Sequence, residues 1–162
     1  MDYALRLYRD DDAERLAKIM RAAILSIGPR AYTAEQVAAW AGRAPGGERF
    51  RTRVAEGAMI FVAADHSNEA VAYSLLEVDQ AQEGHLDHLY CHPDHTRLGL
   101  AEKLLASAEQ HARSVGVTRL YTEASELARP AFERAGYVVE HRRDFEIDSV
   151  PIHNYAMEKR LA

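Results

Sequence analysis

The sequence predicts a single α/β domain built on a mixed, mostly antiparallel central sheet. Three observations predict it. Seven short apolar or alternating runs bounded by turn residues read as strands, and amphipathic stretches of helical period stand among them. No linker, repeat or low-complexity segment divides the 162 residues, a length that suits one domain with its own core, spanning 1–162.

Ala4 to Tyr8 is the first strand. Asp10, Asp11 and Asp12 then start a helix, with Asp11 and Glu14 at the spacing of a capping box. Leu16, Ile19, Met20, Ala23, Ile24 and Ile27 recur at helical period and form one buried stripe, which Gly28 and Pro29 end. Thr33 with Gln36 opens a second, short helix carrying Val37, Ala38 and Trp40. A break from Gly42 to Gly47 precedes a turn or two of helix between Glu48 and Glu56. Met59 to Ala64 and Ala70 to Val78 are strands of one hairpin, and a strand from His85 to His92 follows the turn at Gln80 to Gly84. A long helix runs from Leu98 to Val115 with Ala101, Leu104, Leu105, Ala108 and Ala112 on one face, closed by Gly116. Arg119 to Ala124 is a strand, Leu127 to Ala135 a helix, and the strands Tyr137 to Phe145 and Val150 to Lys159 complete the chain. The long helix is a crossover, so the strands on either side of it should be parallel neighbours.

Composition narrows the function. With 20 basic and 25 acidic residues the net charge is −5, and no basic stripe interleaved with aromatics is present, which argues against a nucleic-acid partner. The acidic balance favours a cationic acceptor such as an amine. Cys91 is the single cysteine, so no intrachain disulfide forms and a reducing compartment is expected. No signal core opens the chain, and no apolar run approaches the roughly 20 residues that span a bilayer. No membrane partner and a cytoplasmic location are therefore expected.

The chemistry concentrates in Leu89 to Leu105. A strand ends at Pro93, a short loop follows, and a helix opens around the small residues Gly99 and Ala101. The first N–H groups of a helix lack carbonyl partners and sit at its positive end, so this arrangement reads as a backbone seat for a phosphate or pyrophosphate.

The run Pro93-Asp94-His95-Thr96-Arg97-Leu98-Gly99-Leu100-Ala101-Glu102-Lys103 resembles the coenzyme loop of the GNAT superfamily of acetyl-CoA-dependent N-acetyltransferases. Downstream, Ala128 to Tyr137, with Phe132-Glu133-Arg134-Ala135-Gly136-Tyr137, is similar to the second signature of that family, and the segment order fits over nearly the whole chain. Thr96 stands where Arg or Gln is usual, and Arg97 where glycine is common. The resemblance implies a sheet of about seven strands with flanking helices and a splayed strand pair that holds acetyl-CoA. It implies that Leu89, Tyr90 and Cys91 pair with the pantetheine arm and that the N–H groups of Arg97, Leu98, Gly99, Leu100, Ala101 and Glu102 face the pyrophosphate. It also places Ser125 at a coenzyme contact, Phe132 along the thioester, and Tyr32, Trp40 and Asn154 around the acceptor. Homodimers are frequent among similar proteins.

Acetyl transfer to an amine needs a group that takes a proton. Strand alternation puts His85, Asp87, Leu89 and Cys91 on one face and Leu86, His88, Tyr90 and His92 on the other. Asp87 is thus the expected base or amine anchor and His85 its partner. Phe132 stands where many relatives carry a tyrosine acid, so Tyr155 or water is expected to protonate the leaving thiolate. The expected function is direct acetyl transfer to a primary amine, on a small molecule or a protein or peptide; the alternative is a non-catalytic acyl-CoA sensor on the same fold. A metal site from His85, Asp87, His88, Cys91, His92 and His95 is not expected, because alternation divides them between faces.

Overall fold

The structure, a computed structural model, describes residues 2–161. Strands β2 (Met59–Ala64) and β3 (Ala70–Val78) are buried over nearly all their length, as continuous apolar runs must be when both faces of a sheet are covered. Around them the chain adds β1 (Ala4–Leu7), α1 (Ala13–Ile27), α2 (Ala34–Gly42), α3 (Gly47–Ala55), β4 (Glu83–Cys91), α4 (Leu100–Ser114), β5 (Arg119–Ala124), α5 (Arg129–Arg134), β6 (Val138–Ile147) and β7 (Val150–Arg160). The sheet order is β1-β2-β3-β4-β5-β7-β6. Every neighbouring pair is antiparallel except β4 and β5, which are parallel and joined through the crossover helix α4, as the segment order predicts.

Each face of the sheet carries its own layer. Leu104, Leu105, Ala108 and Ala112 of α4 pack with Leu86, Leu120 and Met157 on one face. Leu16 and Ile19 of α1 and Phe50 of α3 pack with Val62, Tyr73 and Leu75 on the other. A third apolar group joins Tyr32, Val37 and Ala41 to Ile147 and Ile152, holding α2 against the far end of the sheet.

The capping box between Thr33 and Gln36 forms, with Gln36 N–H donating to Thr33 Oγ1 at 3.2 Å and Thr33 N–H to Gln36 Oε1 at 2.9 Å. The one expected between Asp11 and Glu14 does not. Asp12 is the capping carboxylate: its Oδ2 accepts Arg9 N–H at 2.8 Å, and both its oxygens receive the Arg6 guanidinium at 2.8 and 2.9 Å. Glu14 instead pairs with Arg51. Asp12 lies three residues after the N-cap Arg9, and the arginine on β1 holds its carboxylate there.

Two details shape the middle of the sheet. Strands β4 and β5 pair only at Glu83–Arg119, Gly84–Leu120 and His85–Tyr121, and part beyond that point. Thr122 Oγ1 bridges the start of the split by donating to Leu86 O at 2.6 Å. A Cβ on Gly84, in the middle of these three pairs, would lie 2.7 Å from Leu120 Cδ2, so any larger residue would push the buried Leu120 side chain aside. The second detail is a β-bulge. Leu75 faces His88 while Leu76 faces Leu86, leaving Asp87 as a surplus residue in β4.

The bulge corrects the expected alternation. Leu86, Leu89 and Cys91 pack towards α4, although strict alternation separates Leu86 from the other two. His88 and Tyr90 point the other way, where the His88 ring meets Phe50 and Tyr73, each at 5.7 Å between centroids. Asp87 pairs with Arg53 of α3, so His85, Asp87 and His88 gather on one side of β4 instead of being divided.

Candidate active site

Where β4 and β5 part, two cavities adjoin. The larger, about 280 Å³, is lined by Asp87 and Tyr90 of β4, Glu123 of β5, Arg143 of β6, and the aromatic rings of Tyr32, Trp40, Phe132 and Phe145. The smaller, about 160 Å³, is more apolar and runs between α1, α4 and α5 past Ile24, Cys91, Ala101, Leu104 and Ala131. Leu89, Tyr90, Trp40, Ser125 and Ala128 border both, so the two form one passage through the split sheet.

The smaller cavity leads towards the N-terminus of α4. Arg97 and Gly99 take left-handed backbone there, with φ of 62° and 76°. Arg97 therefore adopts a conformation that favours glycine, which explains how arginine serves where glycine is common. Gly99 is the N-cap and supplies no side-chain oxygen. The Lys103 amide reaches Gly99 O at 3.3 Å, which leaves the preceding amides of Leu100, Ala101 and Glu102 without a helical carbonyl. A Cβ on Gly99 would meet nothing within 4 Å, so the space over these donors is open.

In the larger cavity the titratable groups form a chain. Arg53 Nη1 donates to Asp87 Oδ2 at 2.6 Å, and its other amino group binds Glu77. Burial opposes ionisation of Asp87, yet the neighbouring positive groups, Arg53 among them, outweigh it and hold the carboxyl below its usual range. His88 is buried, with Nδ1 2.8 Å from the Tyr73 hydroxyl, and burial pushes its imidazole down to about 4, so it is neutral at neutral pH. His85 Nε2 lies 2.8 Å from Glu123 Oε1, and the ring stacks on Tyr121 at 4.7 Å. Burial lowers the basicity of His85, but the bond to Glu123 outweighs it and raises the pKa above the ordinary value. One ligand atom each from His85, Asp87 and Glu123 lie within 4.8 Å of one another. Such a trio has the donor set of a divalent-cation site, but Arg53 already supplies the positive charge at Asp87.

The model of the acetyltransferase (GNAT) domain family matches residues 29–159. The chain belongs to the GNAT acetyltransferase family. It is an acyltransferase, and acetyl-CoA is its cosubstrate. The crystal structure of the GCN5-related N-acetyltransferase "Aminotransferase, Class-II" from Rhodopseudomonas palustris is 30% identical, with a TM-score of 0.87 over 99% of this chain and 97% of that one. The PaiA N-acetyltransferase of Thermoplasma acidophilum, solved with coenzyme A, shares the fold at 17% identity, with a TM-score of 0.80 over 99% and 100% of the two chains. YncA of Salmonella typhimurium, solved with acetyl-CoA, does so at 16% identity, with a TM-score of 0.77 over 100% and 95%. No curated protein matches the chain.

The residues of this acetyltransferase fit the coenzyme. The amides of Leu100 and Ala101 at the start of α4 suit its pyrophosphate, and the apolar passage beside Leu89 and Cys91 suits an extended pantetheine arm. Leu89, Tyr90 and Cys91 lie on the unpaired part of β4, where β5 has turned away. Phe132 is buried against Tyr137 and borders the larger cavity. The Ser125 hydroxyl accepts Ala128 N–H at 3.1 Å, at the junction of the two cavities. Glu102 has its carboxylate on Arg134, 2.8 Å away, which ties α4 to α5.

On the α2 side of the larger cavity, Tyr32 is buried and fully engaged: its hydroxyl donates to His153 O at 3.0 Å and accepts Glu126 N–H at 2.8 Å. Trp40 packs edge-on against Tyr32 at 5.6 Å and hydrogen-bonds Tyr90. Asn154 Oδ1 accepts from Arg143 Nη1 at 2.9 Å. Tyr155 departs from its expected placement. Its hydroxyl donates to Glu126 Oε2 at 2.9 Å and its ring carries Arg129 at 4.5 Å, so it borders neither cavity. Sequence reading did not single out Arg53, Glu123, Glu126, Arg143 or His153. Glu123 had a usable signal, since it lies two residues beyond Tyr121 on β5, and Tyr121 is the register partner of His85.

Proposed function

We propose that this acetyltransferase moves the acetyl group directly to a primary amine, on a small molecule or a peptide, at the point where β4 and β5 part. The observation that carries this reading is the carboxylate pair Asp87 and Glu123 on the wall of the larger cavity, with His85 bonded behind Glu123.

An amine arrives as an ammonium and attacks only after losing a proton. Asp87, kept ionised by Arg53, is suited to anchor the ammonium rather than to accept its proton, because its affinity for protons is depressed. Glu123 and His85 are suited to the second task. His85 has raised basicity, lies within 2.8 Å of the carboxylate and is partly exposed, so a proton received at Glu123 passes to Nε2 and on to water. The coenzyme supplies an activated thioester. The nitrogen–carbon bond forms as the carbon–sulfur bond breaks. Of the two protons that the ammonium loses, the first leaves through Glu123 and His85 to water before attack, and the second, lost as the amide forms, matches the one that the thiolate takes from water. A thiol pKa near 8.5 makes that thiolate a tolerable leaving group without an acid in the place of Phe132. With Tyr155 engaged by Glu126, water is the proton donor.

Direct transfer is supported by the state of Cys91. Burial pushes its thiol up to about 11, and Sγ–H donates to His95 O at 3.1 Å, so the thiol is a poor nucleophile. Release of free coenzyme thiol across a panel of amines tests the reading. Turnover with no acetyl-enzyme in the intact mass spectrum supports it; an acetylated protein formed from acetyl-CoA alone overturns the direct step.

A further inference from the structure

We infer that the acceptor of this enzyme carries an anionic group, a carboxylate, beside its amine, and that Arg143 binds it. The inference rests on the amine-acetylation reading above and narrows it to acceptors of the amino-acid class.

Strand β6 shows why Arg143 stands out. Its outward row, Arg142, Asp144 and Glu146, is exposed, and Arg142 closes on Asp144 at 3.0 Å. Its inward row is Arg143, Phe145 and Ile147, all of which line the larger cavity. Two members of that row are apolar, as burial demands; the third is a guanidinium. Arg143 is also the one Lys or Arg side chain lining this cavity, and among the described residues it has no carboxylate partner. The other charged groups of the cavity are satisfied: Asp87 by Arg53 and Glu123 by His85.

The guanidinium is held ready. Asn154 is the direct cross-strand partner of Arg143 and accepts one N–H bond at 2.9 Å, and the Phe145 ring lies 5.2 Å beneath Cζ. A guanidinium has five N–H donors in a planar fork, so most remain available for a bidentate carboxylate. Asn154, expected among the substrate contacts, is therefore a positioning residue for Arg143. The cavity thus presents two carboxylates on β4 and β5 and an unmatched cation on β6. The two carboxylates have spare lone pairs for an ammonium beyond their bonds to Arg53 and His85, and the guanidinium has no anion, so an acceptor with both charges matches both walls. A simple amine leaves the half-buried guanidinium without an anion and forgoes the bidentate bond that an amino acid makes.

The test compares amino acids with the matching amides and decarboxylated amines, for example phenylalanine, phenylalaninamide and phenethylamine, with methionine and glutamate series beside them. Coenzyme thiol release is followed in the wild type and in Arg143→Met, and coenzyme affinity is measured by titration calorimetry. The wild type is expected to prefer the free carboxylate by roughly 10- to 100-fold in kcat/KM, the range of a charge-assisted hydrogen bond. Arg143→Met is expected to bring that ratio near one, mainly through KM, while acetyl-CoA still binds. Arg143→Lys should restore part of the preference, which a merely structural arginine would not require. Equal use of acids and amides by the wild type, or an unchanged ratio in Arg143→Met, overturns the carboxylate subsite and leaves amine acetylation standing. Coenzyme binding without turnover of any amine overturns both.

Discussion

The two halves of the passage are made of different material. The coenzyme half is mostly backbone and small apolar side chains: the free amides of α4, the unpaired part of β4, and Ala101, Cys91 and Leu104. The acceptor half is made of side chains from separate strands, Asp87, Glu123, Arg143 and Asn154, held by partners behind them. Backbone donors are indifferent to most side-chain substitutions, so the first half is expected to bind coenzyme with Thr96 and Arg97 in its loop. The second half changes its chemistry with any single replacement. One site thus keeps its donor and leaves its acceptor free to vary.

Substitutions on the acceptor side should affect turnover without touching coenzyme affinity. The largest effect is expected for Asp87→Asn, which removes the charged anchor of the ammonium: a loss of roughly 10- to 100-fold in kcat/KM with an unchanged coenzyme Kd by calorimetry. A matching loss of coenzyme affinity would show that the halves are not separable. Next is Gly99→Val on the coenzyme side, where a β-branched residue must take φ of 76°. Strain of ~1.4 kcal/mol should raise the coenzyme Kd about tenfold while acceptor preference stays as it was.

The pH profile sharpens the proton route. If His85 must be neutral to receive the proton, kcat/KM rises with pH through a pKa above the ordinary histidine value of about 6.5. Glu123→Gln removes the negative charge that raises it, so the acid limb should move to lower pH. A limb that stays in place removes His85 from the route.

The smallest effect concerns stability. His88 is held neutral down to about 4 when folded and titrates near 6.5 when unfolded. The unfolded chain therefore binds more protons in that window, so stability is complete above about pH 6.5 and falls as the pH drops towards 4. Urea unfolding of the wild type should show a loss of about 1–2 kcal/mol between pH 7.5 and 5, which His88→Asn removes.

The same contrast decides what could be read from the sequence. The coenzyme seat is contiguous from Leu89 to Glu102, so glycine, small residues and helix start appear together as a motif. The sheet was legible for a similar reason, since each strand carries its own apolar pattern and turn signals. His85 and Asp87 were visible as polar residues on one strand. Their partners were not: Arg53 is 34 positions from Asp87, and Glu123 is 38 from His85. The bulge was hidden as well, because no glycine or proline marks Asp87 as the surplus residue. The reading of alternation on β4 failed at that one position, and with it the expected division of His85 and His88 between faces.

That surplus residue stands between two layers of the protein. Leu75 and Leu76 face His88 and Leu86, so a strand without Asp87 would run Leu86, His88, Leu89 in even alternation and keep both layers as they are. The extra residue therefore adds a carboxylate to the strand at the mouth of the split without displacing any side chain of the two layers.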